Sequence, residues 1–367
     1  MNKINKILFS VFIFAFMFYI IKYPQSSSDI VLKGLNLCYL VIIPVIFPFL
    51  AFSKLFINSS FFKFLGKMFN EPAKFLFGIS GEYANALLIG GIAGFPMGAK
   101  TVKDIYLREN SKNTNEAERT LAFCNNCSIS FVVSAAGIAV FNSVKIGFYL
   151  FFIQLISAII TGMIIKFIFV ERKPPSSPRA AAHFQKGAFS ENFLRTGKSE
   201  LNITEMISES VTNILNICGT VLFFYIVASI LFEYLNFLPF FKDSVNSKFI
   251  KILISGIFEI SSGIYSLVNF NVPEYYKLIL SSIILSWSGV SVHFQIMYII
   301  KDLKISLKPY FTGKIIHVII SVLTTVLTVK TKIIYIILAF TLVSAIFVFY
   351  LFEKSLKNRK TQYNKKL

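Results

Sequence analysis

The chain has 367 residues, 55% apolar and 15% charged, with a net charge of +19 and a mean hydropathy of +0.67. A soluble protein of this length carries about 25% charged residues, so a string of water-soluble domains is excluded, and a detached catalytic domain with it. The 37 Lys and Arg crowd the segments beside apolar runs; positive-inside membrane topology accounts for them without a nucleic-acid partner.

Residues 7–21 follow Lys3 and Lys6, and Lys22-Tyr23-Pro24-Gln25 comes next in place of a small-residue cleavage site. This predicts a retained first span. Windows long enough to cross about 30 Å of hydrocarbon fall at 4–21, 30–52, 119–141, 144–170, 206–235, 275–300, 311–329 and 332–352. Segment 53–78 mixes Phe with Lys54, Lys63, Lys67 and Lys74, which predicts an interfacial helix on the cytoplasmic leaflet. Residues 171–200 are charged and rich in Pro and Ser, and read as a disordered cytoplasmic linker.

Two further apolar stretches, 83–99 and 250–268, are shorter and broken. The first holds Gly90, Gly91, Gly94, Pro96 and Gly98; the second holds Ser255, Gly256, Glu259, Ser261, Ser262 and Gly263. Lipid cannot satisfy backbone freed by helix breakers, so both segments must sit inside protein or line a wet cavity. With the N-terminus cytoplasmic and both stretches re-entrant, 28 of the 37 basic residues fall inside; if both cross, the split is 20 to 17. The basic bias favours re-entrance, eight crossings and both termini in the cytoplasm.

The halves repeat. Residues 88–98 overlay 253–263 at an offset of 165, with identities at Leu88, Ile89, Gly91, Ile92 and Gly98. Each hairpin is followed by a span with a polar middle, Asn125-Asn126 with Ser128 and Ser130 in one and Ser286 to Gln295 in the other. A repeat unit of three crossings forces the second copy to be inverted. Inverted repeats with paired broken helices mark secondary transporters; tight helix packing by Gly and Ser explains single glycines but not two matching clusters. The expected fold is therefore an all-α polytopic membrane protein of two inverted repeats, each with a re-entrant hairpin and a broken span. Its parts are a first span and extracytoplasmic loop (1–29), a first repeat (30–170), the linker (171–205), a second repeat (206–330), and a last span with a basic tail (331–367).

Half-helix N-termini offer N–H groups to an anion, and Gly94-Phe95-Pro96-Met97-Gly98 suits that role. Lys100, one turn on, reads equally as added positive charge or as a snorkelling anchor. Asn125 and Asn126 need hydrogen-bond partners in an apolar span, from a neighbouring helix or from substrate. Glu259 is an intramembrane carboxylate, a proton or cation site by default. His293 could pair with it or carry a coupling proton; Ser261, Ser262, Ser288 and Ser291 complete the second polar cluster. His317 reads as packing, and Cys124-Asn-Asn-Cys127 reads as packing too, since no second pair completes a metal site. No nucleotide motif, metal cluster or hydrolase constellation is present. The chain is expected to be neither an enzyme nor the holder of a cofactor or metal. Its expected partners are a small anion, the bilayer and a coupling proton or sodium ion, and a homo-oligomer stays open.

Gly90–Lys100 (GGIAGFPMGAK) and Glu116–Asn126 (EAERTLAFCNN) resemble the signature strings of the YlbJ (SpoVV) family of sporulation integral membrane proteins. Glu259–Ile264 (EISSGI) and Ser288–Gln295 (SGVSVHFQ) are similar to that family's later motifs. The resemblance covers about residues 30–330; Met97, Cys127 and Ile129 depart from the pattern beside the site. It implies membership of the nucleoside-recognition Gate group, kin of concentrative nucleoside transporters. It also implies a place in the outer forespore membrane and movement of dipicolinic acid toward the spore. Dipicolinate is a dicarboxylate, which half-helix N-termini and Lys100 would suit. The rival readings are a nucleoside or cation transporter and a non-transporting scaffold of spore-envelope assembly.

Overall fold

The computed structural model describes residues 3–108, 114–169, 203–236 and 245–331, and all regular structure among them is helical. Apolar runs that leave water must satisfy their backbone internally, and the helix does this within one segment. The disordered linker expected at 171–200 and the last span and tail from 332 onward lie outside the described residues.

Helix α1 (Lys3–Lys22) is followed by Pro24 at the first position of α2 (Pro24–Leu37). There the missing N–H costs nothing. A π-helical turn at Cys38–Ile42 carries α2 into α3 (Ile43–Asn58), so residues 24–58 form one winding run. Ser59 caps α4 (Ser60–Phe77) by accepting from the Phe62 N–H at 3.1 Å, and Gly78 ends it at φ +65°. Helix α4 meets α5 (Gly81–Ala93) at 93°. It buries Phe62, Ala73 and Phe77 and exposes Phe61, Phe64 and Phe75, as a helix lying flat against an apolar surface would.

Helices α5 and α6 (Met97–Arg108) have 13 and 12 residues. At 1.5 Å per residue each is about 20 Å long, too short to cross hydrocarbon. They turn back on each other: a Cβ on Gly90 would lie 3.5 Å from the Gly98 Cα. After α7 (Thr114–Leu121), residues 122–128 are unwound, and the helix resumes at α8 (Ile129–Phe131) and widens to a π-helix over Val132–Val140. The uninterrupted α9 (Val144–Ile168) completes this half.

The order recurs. Helix α10 (Ile203–Asn236) is long and continuous. Helices α11 (Val245–Phe258) and α12 (Ile260–Ser266) form the second hairpin, where a Cβ on Gly263 would lie 2.4 Å from the Gly256 Cα. Helices α13 (Glu274–Trp287) and α14 (Val290–Ile300) are one span broken at Ser288-Gly289, and α15 (Lys308–Thr331) follows. The 165-residue offset carries Gly94 onto Glu259, the two hairpin tips. It also carries Phe123-Cys124, within the unwound stretch, onto Ser288-Gly289.

Among the described residues, four segments are long and apolar enough to span: α9, most of α10, α13 with α14, and α15. The bent pair of α4 and α5 makes a fifth if counted as one. The window expected at 119–141 is therefore not one helix. The main core joins α5 to α9 with both α11–α12 and α13–α15, with Tyr83, Leu121, Phe123, Ile264, Ile284 and Tyr310 almost fully enclosed.

Candidate functional site

Each hairpin tip faces the break in the span that follows it. Gly94 has φ +82°, and a Cβ there would come within 2.9 Å of the Ser128 N and Cβ atoms. Gly289 also has φ +82°, and its Cβ would meet the Ile260 N at 3.1 Å and the Glu259 Cα at 3.3 Å. Each hairpin tip thus rests on the interrupted span of its own half, at a glycine that permits both the turn and the approach.

Both hairpin tips and the break in the first span border a partly open cavity of about 60 Å³, while Ser288-Gly289 packs against the second tip outside its lining. It is lined by Gly94 and Phe95 from the first tip, Cys127, Ser128 and Phe131 from the first broken span, and Glu259, Ile260 and Ser261 from the second tip. Val292 and Gln295 come from α14, and Ile42, Ile46, Ile217 and Val221 from the continuous helices α2–α3 and α10 close the apolar side. A few waters would fill it.

Of the expected site residues, Gly94, Phe95, Ser128, Glu259 and Ser261 line this cavity. Pro96, Gly98, Lys100, Asn125, Asn126, Ser262, Ser288, Ser291 and His293 are not part of the lining. Asn125 is a brace: its Oδ1 accepts the Ala99 N–H at 2.8 Å, and its Nδ2 donates to the Leu121 carbonyl at 3.2 Å. The first-turn amide of α6 that sequence reasoning offered to an anion is therefore held by a side chain of the chain itself. Glu259 does the same at the second tip. Its carboxylate, 0% exposed, accepts the Ser261 N–H at 3.0 Å and the Ser262 N–H at 2.6 Å, capping α12. Ser128 caps α8 by accepting from the Phe131 N–H at 3.2 Å.

His293 does not pair with Glu259. Its Nδ1 shares a 2.6 Å hydrogen bond with the Tyr310 hydroxyl, and its ring meets Trp287 edge-on at 4.6 Å between centroids. His317 is packing as expected, with Nε2 donating to the Gln154 carbonyl at 3.0 Å. Asn126 Oδ1, Ser291 Oγ and His293 Nε2 are buried with no protein partner, so each keeps hydrogen-bonding capacity beside the breaks. All four cysteines are free thiols, and Cys124 and Cys127 are buried.

Lys314 is the functional candidate that sequence reasoning missed. It lies on α15, near the start of the window expected to span at 311–329, and it is 1% exposed. Its Nζ donates to the Asn125 carbonyl at 2.6 Å and to the Ser288 Oγ at 2.9 Å, and sits 5.2 Å from the centre of the Phe95 ring. One ammonium thus touches the first hairpin tip and both broken spans. The signal available in the sequence was its register. Lys314, His317, Ser321, Thr325 and Thr328 recur at three- and four-residue steps, a buried polar stripe on an otherwise apolar helix.

The remaining motif, Glu116 to Arg119, is structural. Glu116 Oε2 accepts the Ser80 N–H at 2.7 Å, at the start of α5, and Glu118 Oε1 accepts the Ser306 N–H at 2.6 Å, ahead of α15. Arg119 donates to the Gly78 carbonyl at 3.1 Å and twice to the Phe169 carbonyl, at 3.0 and 2.7 Å. It places its charge at the C-terminal ends of α4 and α9.

No protein-family model matches the chain, and no solved structure matches it. It is similar to the sporulation integral membrane protein YlbJ of Bacillus subtilis strain 168, with 25% identity over 334 residues. That alignment covers 86% of this chain and 81% of the relative. The likeness extends over most of both chains, and among the described residues this one has four helices long and apolar enough to span a membrane, which supports an integral membrane protein.

Proposed function

We propose that the chain is a transporter, passive or gradient-driven, that carries a small organic anion across the outer forespore membrane, with dipicolinic acid the first substrate to test. The observation that carries the reading is the meeting of three helix breaks, both hairpin tips and the interrupted first span, at one cavity, with the fourth break packed against the second tip. Interrupted helices are costly at membrane depth and persist where they line a cavity. Paired interruptions in matching halves are how secondary transporters build a central site. In this reading the two halves are inverted copies, both hairpins re-enter, and both termini are cytoplasmic. The continuous helices α2–α3 and α10 are the frame against which the hairpins move.

Movement of a hairpin tip would widen the cavity for a substrate in this reading. The test is uptake of labelled dipicolinate by proteoliposomes containing the purified chain, under imposed pH and sodium gradients. Saturable uptake is expected, unaffected by uridine and lost in Ser128→Leu, which fills the cavity. Competition by uridine would move the reading to nucleoside transport. Absence of uptake from folded protein under every gradient would leave a scaffold.

A further inference from the structure

We propose that Lys314 is the cation that pairs with a carboxylate of the transported anion, and that the Phe95 ring stands between the ammonium and the cavity in this structure. This rests on the transport reading and names the group that selects for charge. An ammonium removed from water costs several kcal/mol unless a counter-charge or a full set of acceptors replaces its hydration. Lys314 is 1% exposed, and its polar contacts are one carbonyl and one hydroxyl, both neutral. Among the described residues no carboxylate lies at ion-pair distance from it.

Glu259 does not supply the missing charge, because both its oxygens are engaged by the N–H groups of α12. The ammonium lies 5.2 Å from the Phe95 centroid, and Phe95 lines the cavity. It is therefore one aromatic ring away from any ligand held there. Aromatic faces attract cations, so Phe95 both holds the ammonium in the empty state and can be displaced by a stronger acceptor. A carboxylate is such an acceptor, since charge-assisted hydrogen bonds are about twice as strong as neutral ones. The partners that Lys314 would release, the Asn125 carbonyl and Ser288, sit in the broken spans of opposite halves. Pairing with substrate would thus loosen the joint between the halves at the moment of binding.

Trp287, the one tryptophan, adjoins Ser288 and reports on this joint. The experiment titrates purified protein with dipicolinate and with uncharged pyridine-2,6-dicarboxamide, following Trp287 fluorescence. Wild type is expected to bind the dicarboxylate and not the diamide. Lys314→Met should bind the dicarboxylate roughly a hundredfold more weakly, the loss expected for one partner of a buried charge pair, and Lys314→Arg should retain most of the affinity. If Lys314→Met does not fold, Phe95→Ala decides. Removing the ring should tighten the dicarboxylate and leave the diamide unchanged. Unchanged dicarboxylate binding by Lys314→Met, or equal effects of Phe95→Ala on both ligands, would overturn the pairing alone. Binding of neither ligand by wild type would overturn the transport reading itself.

Discussion

A methyl group on Gly90 would lie 1.9 Å from the Cys124 carbonyl oxygen, and one on Gly98 2.5 Å from the same atom. Backbone on both sides leaves no flexible end to give way. Gly90→Ala and Gly98→Ala are each expected to cost about 3 kcal/mol or more, read as a lowered melting temperature and loss of monodisperse protein. Gly219→Ala is the control, since nothing lies within 4 Å of a Cβ there. It should be neutral, or stabilising by up to about 1 kcal/mol, as Ala replaces Gly in a helix. The glycines were legible because a breaker in an apolar run has few explanations. Lys314 was not, because a basic residue near a span end reads as a snorkelling anchor until its neighbours are known. Asn125 was legible as a polar residue needing a partner, but its partner is the backbone of another helix, and no spacing rule reports that.

At the scale of elements, the short helix α7 has a role larger than its eight residues. Its three charged side chains hold the ends of four other helices: Glu116 at α5, Glu118 ahead of α15, and Arg119 at α4 and α9. Arg119 binds two carbonyls with three N–H groups, a fork that lysine cannot reproduce. Arg119→Lys should therefore destabilise by about 2–3 kcal/mol, the loss of hydrogen bonds to a charged group. Arg119 is absent from the cavity lining, so the substrate concentration for half-maximal uptake should not change. A changed half-saturation at unchanged melting temperature would contradict this division of labour. The sequence pattern marked Glu116–Asn126 as one conspicuous string, but the string serves two purposes. Its acidic and basic end rivets helices, and its amide end braces the first hairpin. Only the amide end was legible as part of a site, because charges near a helix start usually remain in water.

At the scale of the whole molecule, the 165-residue offset paired the two broken stretches that form the hairpins, and the polar middles read after each stretch are where the spans are interrupted. Identical Gly98 and Gly263 helped reveal it, because each lies where the two helices of its hairpin cross, against Gly90 in the first half and Gly256 in the second. What stayed hidden is how the halves join, since Lys314 bridges them from a helix whose matching position in α9 is Tyr149, not a cation. The joint separates a carrier from a scaffold, and Cys127 gives a way to watch it. Cys127 lines the cavity yet is 1% exposed, while Cys124, three residues earlier, is 0% exposed and absent from the lining. Two single-cysteine proteins, one retaining each thiol and reconstituted in liposomes, would be treated with a water-soluble thiosulfonate reagent. If the breaks open to water in turn, Cys127 should react far faster than Cys124, from whichever side the cavity faces, and dipicolinate should slow the reaction. A rigid scaffold makes both thiols equally inert, because neither has a path to solvent in the closed arrangement. Fast reaction of Cys124 as well would signal local unfolding instead, since that thiol lies beneath the crossing of Gly90 and Gly98 over its own carbonyl.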